Sequence, residues 1–214
     1  MNEWDLQRIL TKQWTECGLQ FDGMRHMLIA WEIMFPSWKV NDIERHWNEP
    51  SCDFIVADRS GRLTVIELKV MMGGIKPAWQ ALCQVTHRAN EMAHHFKPER
   101  LNKAHRDCYS GYHIGRKVDV AKRSSLVEHH RRFFELDEHA DFDAASVGRC
   151  VAAVEYGDAW QGVLKDFNRL SRHILVRRVD EELSSKASQV ERRRFLEMLP
   201  HDALDRPVLS LRLT

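Results

Sequence analysis

Two short apolar runs separated by a turn constrain the fold more than any other stretch of this sequence. Residues 53–57 and 63–68 are rich in β-branched and aromatic side chains, and residues 58–61 between them have the sequence Asp-Arg-Ser-Gly. Such runs favour β-strands, and an Asp and a Gly between them favour a tight turn. We therefore predict a β-hairpin of two antiparallel strands in this region.

Three charged residues, Asp53, Glu67 and Lys69, lie within or at the ends of these apolar strands. Alternation along the second strand places Glu67 and Lys69 on one face, and Asp53 begins the neighbouring strand. Two close carboxylates repel each other unless a cation lies between them, and hard divalent ions prefer oxygen ligands. An ammonium group beside such an ion can stabilise charge on a phosphoryl group. The pattern thus indicates phosphodiester chemistry at a Mg²⁺ site.

Asp53 followed by Glu67-Leu68-Lys69 resembles the hallmark of the PD-(D/E)xK nuclease superfamily, an Asp at one strand start and Glu-x-Lys on the next strand. The resemblance implies an α/β fold with a restriction-endonuclease-like core, in which a mixed central sheet is flanked by helices, with additional helices towards the C-terminus. It also implies that Asp53, Glu67 and the Leu68 carbonyl bind Mg²⁺, with Mn²⁺ able to substitute. Lys69 would then be the catalytic lysine. Cys52 stands where the superfamily usually has a proline.

A helix is predicted after the hairpin. Pro77 follows a Gly-Gly break and fits a helix start, so we predict a helix over residues 77–95. The superfamily often carries a catalytic glutamine on this helix, and Gln84 matches that position. Arg88, one turn later, replaces a tyrosine of the exonuclease-like branch, and we expect it to contact phosphate. The alternative for Gln84 is a solvated or capping role.

Two helices and a strand are predicted before the hairpin, over residues 3–17, 23–35 and 43–47. The superfamily places in this region a helix that often bears one more metal-binding Glu. Glu3 and Glu32 both qualify, and we favour Glu32 because a carboxylate among apolar neighbours needs a partner if it is buried. A solvated helix face is the alternative for each of them.

Residues 97–132 have a clear excess of Lys and Arg over Asp and Glu, although the whole chain has a formal net charge of only +1. A nucleic-acid surface must therefore be local. We expect this segment to contact phosphates, because cations with interspersed tyrosines suit a nucleic-acid strand. The residues that we assign to this contact are Arg116, Lys117, Lys122 and Arg123. A solvated charged surface is the alternative.

The C-terminal part continues the alternation of strands and helices. We predict strands over 147–156, 173–178 and 207–213, and helices over 158–170 and 180–199. Because neither a repeat nor a low-complexity linker interrupts the sequence, we predict one domain over residues 1–214. Its core would span about 23–180, with residues 97–132 as a basic insertion.

The composition is that of a soluble globular protein. The chain has 214 residues, of which 43% are hydrophobic and 29% charged, which suits one α/β domain. No apolar run is long enough to span a membrane, and the N-terminus lacks the features of a signal peptide, so we expect a cytoplasmic protein. The five cysteines are odd in number and contain no Cys-x-x-Cys pair, which favours reduced thiols.

The sequence therefore predicts a Mg²⁺-dependent endonuclease that hydrolyses DNA. RNA as the substrate, a homodimer and a partner protein subunit are left open. The alternative is a non-catalytic nucleic-acid-binding or assembly subunit with a nuclease-like fold. The intact set of Asp53, Glu67 and Lys69 favours the enzyme, because a degenerate site usually lacks one of these residues.

Overall fold

The computed structural model of the protein describes residues 2–34, 51–95, 142–169 and 206–213. These ranges contain three helices and six strands. In chain order they are α1 (Glu3–Cys17), β1 (Leu19–Phe21), β2 (Met24–Met34), β3 (Ser51–Asp58), β4 (Arg62–Met72), α2 (Ile75–His95), β5 (Asp143–Tyr156), α3 (Trp160–Arg169) and β6 (Leu209–Arg212).

The six strands form one mixed sheet, in which their spatial order is the same as their order in the chain. Strands β1 to β4 pair in antiparallel fashion. Strand β5 is parallel to β4, and β6 is parallel to β5. A parallel pair needs a crossover connection, and α2 lies within the connection from β4 to β5. The prediction of an α/β fold with a mixed central sheet flanked by helices is confirmed.

Helix α1 covers one face of the sheet. Its buried apolar side chains, Leu6, Leu10 and Trp14, recur every four residues and form a stripe along the helix. The ring of Trp14 packs on that of Phe54 in β3, with 4.8 Å between the centroids. Phe54 pairs with Ile66 of β4, so α1 packs on the face that these two residues share.

Helix α2 covers the opposite face. Arg149 of β5 pairs with Val65, the neighbour of Ile66 in β4, and therefore lies on the other side of the sheet. Its guanidinium donates a hydrogen bond of 3.4 Å to the hydroxyl of Thr86 in α2. Helix α3 packs beside α2, where the rings of Trp79 and Phe167 lie 5.5 Å apart. The sheet thus lies between α1 on one side and α2 with α3 on the other.

The predicted hairpin is confirmed as strands β3 and β4, which pair with Ile55 opposite Val65. Its turn is held by Asp58, whose side-chain oxygen accepts hydrogen bonds from the backbone N–H groups of Ser60 and Arg62, at 2.9 and 3.1 Å. The N–H of Gly61 donates to the Asp58 carbonyl at 3.0 Å. The Asp and the Gly recognised in the sequence therefore form the turn.

The predicted helix over residues 23–35 is wrong, because this segment forms strand β2 (Met24–Met34). The run Met27–Trp31 is buried at every position. A strand that is covered on both faces loses the alternation of apolar and polar residues, so its sequence does not differ from that of a buried helix.

The other predicted elements divide into two groups. The helices over 3–17, 77–95 and 158–170 and the strands over 147–156 and 207–213 are confirmed, with shifted ends in several cases. The strands predicted over 43–47 and 173–178, the helix over 180–199 and the basic segment 97–132 lie outside the described residues. Within the described ranges, none of the helices has the length and apolar character that crossing a membrane requires.

Gly18 connects α1 to β1 in a conformation that favours glycine. Its φ is 72° and its ψ is −172°, and a Cβ atom there would lie 2.8 Å from the carbonyl oxygen of His26. We expect Gly18→Ala to lower the free energy of unfolding by about 2 to 3 kcal/mol, measured by urea denaturation. Gly23 is the matched control, because its φ is 70° but a Cβ would meet no atom within 4 Å. Gly23→Ala should cost about 1 kcal/mol, and equal losses would contradict the steric argument.

Candidate functional site

The hairpin brings the two predicted carboxylates to one place. Since Ile55 lies opposite Val65, continuation of the same register places Asp53 opposite Glu67. Asp53 and Glu67 each lie two positions from the Ile55–Val65 pair, so their side chains are on the same face of the sheet as those of Ile55 and Val65. This is the face that α2 covers. The acidic pair expected from the sequence therefore lies beneath α2, one position beyond the Phe54–Ile66 pair of β3 and β4.

Asp53 is tied directly to the Glu-x-Lys segment. Its Oδ2 atom accepts a hydrogen bond of 2.8 Å from the backbone N–H of Leu68. A hydrogen bond to an ionised acceptor is stronger than one between neutral groups. The bond holds the Asp53 carboxylate beside Glu67 and Lys69, at the start of its strand.

Glu67 is a buried carboxylate between two cations. Its side chain is 3% exposed, and its Oε1 atom lies 2.8 Å from the amino group of Lys69. Its Oε2 atom accepts a hydrogen bond from the guanidinium of Arg88 in α2. Burial of a carboxylate is costly unless the charge is paired and hydrogen-bonded. Lys69 and Arg88 together meet that requirement.

Lys69 lies at the exposed side of this group. Its side chain is 25% exposed, and its amino group lies 3.5 Å from the Oε1 atom of Glu3 as well as beside Glu67. Glu3 belongs to the first turn of α1. The amino group of Lys69 therefore lies between the buried Glu67 carboxylate and the protein surface.

Of the two candidate glutamates, the structure brings Glu3 to Lys69, while Glu32 belongs to strand β2 and not to a helix. The backbone of Glu32 lies opposite that of Asp53, between the pairs Trp31–Phe54 and Ile33–Cys52. Metal binding by either glutamate stays a prediction.

Helix α2 supplies Arg88 to the site. Arg88 pairs with Glu67, and its side chain is 14% exposed. Its contact with phosphate stays a prediction. Gln84 precedes Arg88 by one helical turn, so both residues lie on the same side of α2. Gln84 is half-buried, and its predicted catalytic role remains to be tested.

Cys52, which precedes Asp53, has its thiol engaged with the backbone of its own strand. It is buried, and its thiol donates a hydrogen bond of 3.0 Å to the carbonyl of Phe54. Burial raises the pKa of this thiol well above its ordinary value, so the sulfur stays protonated. Cys52 is two residues from Phe54 and shares its α1 side of the sheet. Cys52 therefore belongs to the buried core on that side of the sheet.

The oxygen atoms at this site suit a hard divalent ion, because Asp53 and Glu67 offer carboxylates and Leu68 offers a backbone carbonyl. In the part of the chain that the structure describes, no group of three or more His, Cys, Asp or Glu side chains is arranged to hold a metal. Both Glu67 oxygens also have cationic partners. Each carboxylate oxygen has a second lone pair, so a metal at Glu67 would share these oxygens with Lys69 and Arg88.

Sequence reasoning missed the pairing of Glu67 with Arg88. A signal was present, because a Glu in an otherwise buried strand requires a cation within reach, and Arg88 lies on the helix predicted to follow that strand. The predicted phosphate contacts of Arg116, Lys117, Lys122 and Arg123 lie outside the described residues.

The geometry of this site is the basis for a functional assignment. Comparisons of the chain with protein-family models, with curated proteins and with solved structures found no match.

Proposed function

We propose that the protein is a divalent-metal-dependent nuclease of the PD-(D/E)xK type that hydrolyses DNA. The observation that carries this proposal is the bond of 2.8 Å between Asp53 and the Leu68 N–H, beside a Lys69 amino group 2.8 Å from Glu67. The hairpin places Asp53 against the Glu67-Leu68-Lys69 segment, in the strand positions that the motif requires.

The order of elements supports a restriction-endonuclease-like core. A helix precedes the antiparallel strands, the Asp and the Glu-x-Lys lie on neighbouring strands, and a second helix follows and covers the acidic pair. The sheet is mixed, as the resemblance implies. This order offers a framework in which a strand end positions the reacting groups and α2 protects them from water.

The residues have distinct roles in the proposed reaction. Asp53, Glu67 and the Leu68 carbonyl would hold Mg²⁺, which supplies a Lewis acid and lowers the pKa of the attacking water. Lys69 extends towards solvent and neutralises negative charge as it develops on the phosphoryl oxygens. Arg88 balances the charge of Glu67 in the metal-free protein.

A cleavage assay on the full chain tests this proposal. The protein is incubated with supercoiled plasmid, linear duplex, single-stranded DNA and RNA, in the presence of Mg²⁺, Mn²⁺ or a chelator. We expect nicking or linearisation of the plasmid with either metal and none with the chelator. If no nucleic acid is cut with either ion by correctly folded protein, the proposed function is wrong.

A second candidate is a nucleic-acid-binding or assembly subunit without catalysis. It is favoured by the contacts of Glu67, since Lys69 and Arg88 balance the charge of this carboxylate. A site whose charges are mutually satisfied can be purely structural.

Metal titration separates the two candidates. A nuclease should show saturable Mn²⁺ binding by calorimetry, and Asp53→Asn should weaken it strongly, because the substitution removes a charged ligand and retains the shape of the side chain. Asp58→Asn is the matched control, since the Asp58 carboxylate is engaged in the hairpin turn. Absence of Mn²⁺ binding by folded wild-type protein would favour the non-catalytic subunit.

A further inference from the structure

The first turn of α1 presents a large aromatic side chain beside the site. Trp4 is 61% exposed. It directly follows Glu3, whose carboxylate lies 3.5 Å from the amino group of Lys69. Trp is highly buried on average in folded proteins, so an exposed indole next to a group of charged side chains needs an explanation.

The position of Trp4 on the helix shows why it is open. Thr11 and Thr15 follow it by seven and eleven residues, which are close to whole numbers of turns, so all three lie on the same side of α1. Thr11 and Thr15 are buried. Among the residues that the structure describes, this side of α1 is therefore buried at Thr11 and Thr15 but exposed at Trp4, next to Glu3 and Lys69.

Two cations extend the exposed surface along the helix. The guanidinium carbon of Arg8 lies 5.4 Å from the centroid of the Trp4 ring, within the range of a cation–π interaction. Lys12 is exposed one turn further on. We call Trp4, Arg8 and Lys12 the α1 ledge. It combines a flat aromatic surface with two positive charges.

We propose that the α1 ledge binds an unpaired nucleotide of a nucleic-acid strand, with the base stacked on Trp4 and phosphates beside Arg8 and Lys12. Every base has a flat face that can stack on an aromatic ring, and the backbone supplies the complementary negative charge. The bases of an intact duplex are stacked on one another and cannot reach the indole. This inference rests on the proposed function and names its substrate feature, a single-stranded segment or a frayed end next to Lys69.

Fluorescence anisotropy with a labelled single-stranded oligodeoxythymidine tests the ledge, with a chelator present so that no cleavage occurs. We expect Trp4→Ala to weaken binding about 5- to 100-fold, the range for loss of one base stack. Trp4→Phe should retain most of the affinity. Ile9→Ala is the matched control, because Ile9 is also an exposed apolar residue of α1 but lies about 140° around the helix from Trp4. It should bind as wild type does.

The outcomes separate this inference from the proposed function. If Trp4→Ala binds the oligonucleotide as tightly as wild type, or if Ile9→Ala loses as much affinity as Trp4→Ala, the α1 ledge does not bind the nucleotide. This holds even if wild-type protein cuts DNA. If Trp4→Ala weakens binding of a blunt duplex as much as binding of the single strand, the ledge has no preference for unpaired bases. Trp4-dependent binding without any cleavage by wild type supports the ledge and contradicts the nuclease.

Discussion

Lys69→Ala is expected to lower the rate of DNA cleavage at saturating substrate by about 100- to 1,000-fold. The Lys69 amino group is the partly exposed cation of the site, 2.8 Å from Glu67. Its proposed contribution is made in the transition state, where negative charge develops on the phosphoryl oxygens, so kcat should fall more than affinity. Single-turnover cleavage of a plasmid measures this effect directly.

Two comparisons decide whether the loss comes from the site. Lys165→Ala removes an exposed lysine from α3 and should leave the cleavage rate unchanged. Asp53→Asn should lower the cleavage rate by at least as much as Lys69→Ala, because both substitutions remove a charge from the proposed reaction centre. Cleavage by Lys69→Ala at the wild-type rate would exclude Lys69 as the catalytic lysine.

Arg88→Met should lower the free energy of unfolding by about 3 kcal/mol. Glu67 is 3% exposed and would lose one of its two cationic partners. This loss is at the lower end of the range for breaking a buried ion pair, because Lys69 still compensates part of the negative charge of Glu67. Methionine keeps most of the apolar stem of the arginine, so the loss reports the charge more than the packing. Urea denaturation gives the value.

A double-mutant cycle is the control for this prediction. In a Glu67→Gln background no buried carboxylate remains, so Arg88→Met should cost far less than in the wild type. Equal costs in the two backgrounds would show that Arg88 stabilises the protein by packing and not by its pairing with Glu67.

The hairpin, helices α1 and α2 and the position of the Asp and Glu-x-Lys residues could be predicted from the sequence, because local signals specify them. The turn over residues 58–61 and the alternation along β4 determine which side chains share a face. A shift of one residue in the register would place Glu67 on the opposite side of the sheet. The motif and its strand positions are therefore local properties of the chain.

The tertiary structure decided what these residues contact. Strand β2 was predicted as a helix because burial on both faces removes the periodicity that identifies a strand. Arg88 pairs with Glu67 because packing of α2 on the sheet brings together residues far apart in sequence, and a buried carboxylate requires that cation. Trp4 is exposed near Lys69 because, among the described residues, the packing that buries Thr11 and Thr15 does not extend along that side of α1 to Trp4. Such contacts depend on how separate elements pack, which no single stretch of the sequence specifies.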